Sequence, residues 1–201
     1  MSINVCNDRS MASITSLPSG VSGSSLVLIS TVTASSSDTV DFTSGIDSTY
    51  KKYIFKFIDV HPATDTAKLQ FQGNASGGSG FNETITSNFY YAVHTENDGT
   101  AALAYDGDND LGQSTNFQPF IGSIGNGNDE SCSGYLCLFD PSNTTFVKHF
   151  ITRTSGYYHG DGNSDSYAAG YFNTTSAIDE IQFKMSSGDI DAGTFKLYGV
   201  V

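Results

Sequence analysis

At 201 residues with 38% apolar content, the chain can bury one substantial core, so one domain is expected and a second core is not. Twenty-one Gly, 14 Phe, 11 Tyr, four Pro and no Trp, with Ser and Thr between most apolar runs, is the composition of an all-β chain with many turns. A formal net charge of −12 repels phosphate and argues against nucleic acid and anionic membranes as partners, and no run approaches the 18 or more apolar residues that membrane insertion requires.

Residues 1–24 hold Ser, Gly, Asn and Thr with scattered Ile3, Val5, Ile14 and Leu17, too little apolar surface to fold alone. They read as an extended N-terminal arm that the domain, another copy of the chain or a partner must hold, and hence as an anchoring or assembly element. Arg9 is the sole cation of the first 20 residues, and Leu26 to Ile29 is too short for a signal-peptide core, so export is not indicated.

Residues 25–201 read as one β-sandwich domain. Strands are expected at Leu26 to Thr33, Thr39 to Phe42, Tyr50 to Val60, Lys68 to Gln72 and Phe89 to Thr95. Further strands follow at Gly134 to Phe139, Phe146 to Arg153, Tyr167 to Asn173, Ile178 to Met185 and Phe195 to Val200. About ten short strands separated by turn signals predict an antiparallel sandwich, jelly-roll-like. In YIFKFIDV, Tyr53, Phe55 and Phe57 alternate with Ile54 and Ile58, so both faces call for apolar cover and the strand belongs at the centre of a sheet. The run around Leu136 and Leu138 has the same character. Lys68, Gln70 and Gln72 alternating with Leu69 and Phe71 mark a strand with one wet face. No long stretch of period 3.6, internal repeat or heptad is present.

The loops carry whatever chemistry there is. Between Lys68 and Lys148 there is no Lys or Arg but nine acidic residues, for which solubility is the plain explanation and cation binding or docking on a basic surface the alternative. Asp106, Asp108 and Asp110 stand at alternate positions, as in calcium loops. An EF-hand requires Gly and Glu where Leu111 and Phe117 stand, which leaves a solvated acidic loop or a looser calcium site between sandwich loops. No other cofactor is expected. His61, His94, His149 and His159 lack the spacing of zinc ligands. Tyr157, Tyr158, His159 and Asp161 crowd one turn, where aromatic faces beside carboxylates can hold a sugar ring or the tyrosines can pack on the sheet rim. Neither a nucleophile elbow nor a phosphate loop is present, and the four Glu form no recognisable acid–base pair, so no enzyme is expected. Cys6, Cys132 and Cys137 are too few and too irregular for a disulfide framework. Ser176 to Val201 reads as two half-buried strands joined by a Gly- and Asp-rich turn, so the chain ends inside its own sheet.

Four phrases between Ser35 and Val200 resemble a family of small structural proteins from tailed bacteriophages, especially marine phages of cyanobacteria and other plankton. They are SSSDTVDFTSGIDSTYKKYIFKFIDVHPATD at Ser35 to Asp65, SGYLCLFDPSNTTFVKHF at Ser133 to Phe150, NTTSAIDEIQFKMSSG at Asn173 to Gly188 and GTFKLYGV at Gly193 to Val200. The resemblance implies a non-enzymatic virion component, made in the host bacterial cytoplasm and exposed on the particle, with no catalytic residues to carry over. Its partners would be other virion proteins of the capsid or tail and copies of itself. One compact domain with an anchoring arm and no fibrous shaft favours a head decoration or cement protein over a tail fibre or adhesin subunit. A carbohydrate-binding module for host surface glycans would share the fold and the acidic, aromatic loops.

Overall fold

A computed structural model describes residues 25–201 of the chain. Among these, twelve strands form two antiparallel sheets. In chain order they are β1 (Leu26–Ser37), β2 (Thr39–Phe42), β3 (Lys52–Pro62), β4 (Leu69–Ala75), β5 (Ile85–Thr95) and β6 (Ala101–Tyr105), followed by β7 (Gln118–Pro119), β8 (Cys132–Phe139), β9 (Lys148–Tyr158), β10 (Gly162–Phe172), β11 (Ile178–Met185) and β12 (Ile190–Val200). The larger sheet runs β1-β12-β3-β8-β9-β10-β5-β6 and the smaller β2-β11-β4-β7. The protein is an all-β sandwich; the jelly-roll part of the expectation is not confirmed. The arm at residues 1–24 lies outside the described residues.

The core follows from period-two alternation on both sheets. Tyr53, Phe55 and Phe57 of β3, Leu136 and Leu138 of β8, Phe150 of β9 and Phe195 of β12 are buried from the larger sheet. They meet Phe42 of β2, Leu69 and Phe71 of β4, and Ile181 and Phe183 of β11. Rings interlock edge to face across the gap: Phe42 and Phe55 have centroids 5.3 Å apart, and Phe71 and Phe150 5.1 Å. Such pairs add roughly 0.5–1.5 kcal/mol beyond their buried area.

Three expectations are corrected. β6 and β7 add to the ten expected strands; Ala101–Tyr105 carries no alternation and β7 is two residues long, so neither has a signature in the sequence. The outer face of β3 lacks cover among the described residues: Ile58 is 41% exposed, although the strand is interior to the sheet between β12 and β8. The wet face expected of β4 is partly dry, since Gln72 is fully buried. The chain before β7 folds over it, and the Gln72 Nε2 donates to the carbonyls of Glu83 (3.0 Å), Thr115 (3.2 Å) and Asn116 (3.0 Å). A buried carboxamide is tolerated because these bonds compensate its desolvation.

The terminal strands are not a hairpin within one sheet. β11 pairs with β2 and β4, whereas β12 pairs with β1 and β3, so the turn between them crosses from one sheet to the other. Cys132 and Cys137 are buried free thiols on the same strand, an odd number of positions apart and so on opposite faces, which rules out a bridge between them. Burial pushes both thiols up, and Cys132 most strongly.

Candidate functional site

The larger sheet is wider than the smaller one, and its inner face changes character where that cover ends. Along β9 the inward positions pass from Phe150 through Thr152 and Thr154 to Gly156 and Tyr158; along β10 they pass from Ala168 through Ser166 to Ser164. Thr154 and Ser166 are fully buried, and no hydrogen-bond partner for the Thr154 Oγ1 lies among the described residues. The Ser164 and Ser166 hydroxyls lie 3.3 Å apart. Beyond them the sandwich opens into a cleft of about 400 Å³. Its walls include Tyr91 of β5, Ser164, the Asp106–Asn109 turn, Lys68, Ser123, and Tyr158 and His159 at the tip of the β9–β10 hairpin.

The cleft joins two segments that sequence spacing treated separately. Asp106 and Asp108 face it from one side, and Tyr158 and His159 from the other. Each wall is braced from behind. The Asp106 carboxylate accepts the Asp108 backbone N–H at 3.0 Å and the Asn109 Nδ2 at 2.7 Å, while the Asn109 Oδ1 accepts the Lys68 Nζ at 2.6 Å. The His159 Nδ1 lies 2.7 Å from the Ser123 Oγ, and the His159 ring packs against Tyr158 with centroids 4.4 Å apart.

The proposed calcium trio does not converge. Asp106 is occupied by its own turn, Asp110 accepts a hydrogen bond from the Tyr105 hydroxyl, and the Lys68 Nζ binds the Asn109 Oδ1 of the same segment. Among the described residues, no group of three or more His, Cys, Asp or Glu is disposed to hold a metal. The supposed glycan quartet is divided as well. Period two turns Tyr157 to the opposite face from Tyr158, where its hydroxyl lies 3.5 Å from Glu96 and 3.4 Å from Asp161. Desolvation, followed by the charges of Glu96 and Asp161, raises the Tyr157 hydroxyl above its ordinary value. That side opens into a second, shallower depression with His94, Glu96, Asp98 and Asp129.

The outer face of the larger sheet carries a feature that spacing along the chain does not reveal. Pairing registers align Lys196, Lys56, Tyr135, Arg153, Tyr167, Tyr90 and Tyr105 in one row across seven strands. Tyr90 and Tyr167 stack at 4.8 Å, Arg153 lies over the Tyr167 ring, and Asp165 binds the guanidinium through two bonds of 3.1 and 2.9 Å. Those bonds hold the Asp165 carboxyl below the usual carboxylate range. Leu28, Ile58, Leu103 and Ile151 are exposed on the same face.

Fold and site together define an antiparallel sandwich with an open polar cleft at one end and a partly apolar outer sheet face. No family model, no curated protein and no solved structure matches the chain.

Proposed function

We propose that the protein is a non-enzymatic structural component on the surface of a tailed-phage particle, a head decoration or cement protein anchored through residues 1–24. The observation that carries this reading is the outer face of the larger sheet, where Leu28, Ile58, Tyr90, Leu103, Tyr105, Tyr135 and Ile151 are exposed together. A sheet face of this kind gains free energy when another surface covers it, and in this reading the cover is a neighbouring virion protein. The resemblance of the four phrases to phage structural proteins is the reason for seeking that surface on a virion. Deleting residues 1–20 is expected to leave a soluble, folded domain that no longer joins particles, measured as copies per virion. Normal occupancy by the truncated chain overturns the anchoring role, and a particle map that places the chain on the tail overturns the head assignment in favour of a fibre or adhesin subunit.

A second reading, a carbohydrate-binding module, is favoured by a different observation: Tyr158, His159, Asp106 and Asp108 line one cleft. Binding of host surface glycans to the isolated protein separates this reading from pure scaffolding.

A further inference from the structure

Resting on the carbohydrate reading, we infer that the cleft between the β9–β10 hairpin tip and the Asp106–Asn109 turn binds a short neutral or amino-bearing saccharide and rejects acidic ones. The shape is the first argument. The cleft continues the interior of the sandwich past the smaller sheet, so its floor, which includes the buried Ser164, is rigid sheet rather than loop. A pocket of about 400 Å³ falls within the range that encloses small ligands.

The second argument is chemical. Tyr91 and Tyr158 supply ring surface for the apolar C–H face of a sugar. The lining also presents the Tyr91 and Tyr158 hydroxyls, the His159 imidazole and the Asp108 carboxylate, the last two at exposed positions. Their neighbours are already committed, since Asp106 holds Asn109, Asn109 holds Lys68 and Ser123 holds His159. These bonds fix both walls of the cleft before any ligand arrives, which lowers the ordering cost of binding. Hydroxyl donors on a carboxylate make charge-assisted bonds, the stronger kind.

Charge sets the selectivity. Asp106 and Asp108 outnumber Lys68, whose ammonium is already bonded to Asn109, so a uronic or sialic acid carboxylate meets net repulsion while a neutral polyol or an ammonium does not. Tyr157 and Asp161, on the far side of the hairpin, take no part.

The test is an array of neutral, amino and acidic oligosaccharides, followed by calorimetric titration of the strongest ligand. Wild type is expected to bind neutral or amino glycans. Asp108→Asn, a change at an exposed turn position, and Tyr158→Ala should each weaken binding about tenfold or more. Tyr157→Ala should leave affinity unchanged, and amide NMR spectra of each variant confirm the fold. Preference for acidic glycans overturns the selectivity. Binding that survives Asp108→Asn and Tyr158→Ala but not Tyr157→Ala moves the site to the other face and leaves the carbohydrate reading standing. No binding anywhere on the array overturns that reading and this inference with it.

Discussion

Phe55 touches both Phe42 and Phe183 at ring-centroid distances of 5.3 and 5.6 Å, so its removal opens a cavity that two other rings line. Phe55→Ala is expected to cost about 3–5 kcal/mol of unfolding free energy by urea titration. A loss below about 1 kcal/mol would mean the neighbouring rings collapse into the space. Asp165 belongs to the surface, and its prediction is one of pH. Its carboxyl is held low chiefly by Arg153, so its contribution is present above the unfolded carboxylate value of about 3.9 and is lost as pH falls through the lower folded value. Asp165→Asn should therefore lower stability at pH 7 by roughly 0.5–1 kcal/mol, since the pair is partly solvated. The gap between wild type and variant should narrow as the pH of the melts falls below the ordinary carboxylate value of about 3.9; a gap that does not narrow with acid would assign the effect to packing on Tyr167 instead of charge.

At the scale of elements, the connection between β11 and β12 matters most, because it carries the chain from one sheet to the other. Gly188 in that turn has φ +65°, and a Cβ placed there would press on the Thr64 side chain. Gly77, in the loop after β4, has φ +79° with nothing within 4 Å of such a Cβ. Gly77→Ala measures the backbone penalty alone, about 1–2 kcal/mol, and Gly188→Ala should exceed it because Thr64 must also move. Equal losses would show that the Thr64 contact yields freely. Alternation along the chain places β11 and the Phe195 to Val200 part of β12, whose first residues from Ile190 read as turn, yet it contains nothing about their partners. Two neighbouring amphipathic strands form a hairpin or cross between sheets with the same sequence pattern, and only the burial of both inner faces against each other selects the crossing.

For the whole molecule, charge is the governing quantity, with nine basic against 21 acidic residues. The acidic run from Glu96 to Glu130 is not left entirely alone by the fold. Lys68 and Lys184 share a surface depression with Asp108 and Asp110, and Lys184 also lies 4.4 Å from the Phe117 ring centroid. Glu96, Asp98 and Asp129 share the other depression, whose lining holds no Lys or Arg. Screening should relieve the repulsion that remains, so the melting temperature is expected to rise with ionic strength, equally in matched sodium, magnesium and calcium chloride. A calcium-specific excess abolished by Asp108→Asn would show that Asp106, Asp108 and Asp110 converge on an ion after all. Absence of any salt dependence would show that the acidic groups are too far apart to repel.

Local physics governs the part of this protein that is legible along the chain. Period two and turn residues specify an all-β chain and ten of its strands, and they identify Phe55, Phe57, Leu136 and Leu138 as interior, because an alternating strand hides one face whatever it pairs with. The separation of Tyr157 from Tyr158 is not legible there, because the stretch reads as a turn and parity applies only once β9 runs through Tyr158. The remainder depends on contacts between distant segments. They brought Asp106 and Asp108 to the same cleft as Tyr158 and His159, about fifty residues away along the chain, and set Lys196, Lys56, Tyr135, Arg153, Tyr167, Tyr90 and Tyr105 in a single row. The physical reason is that register and sheet order are fixed by hydrogen bonds and packing between distant segments. No spacing within one segment records them.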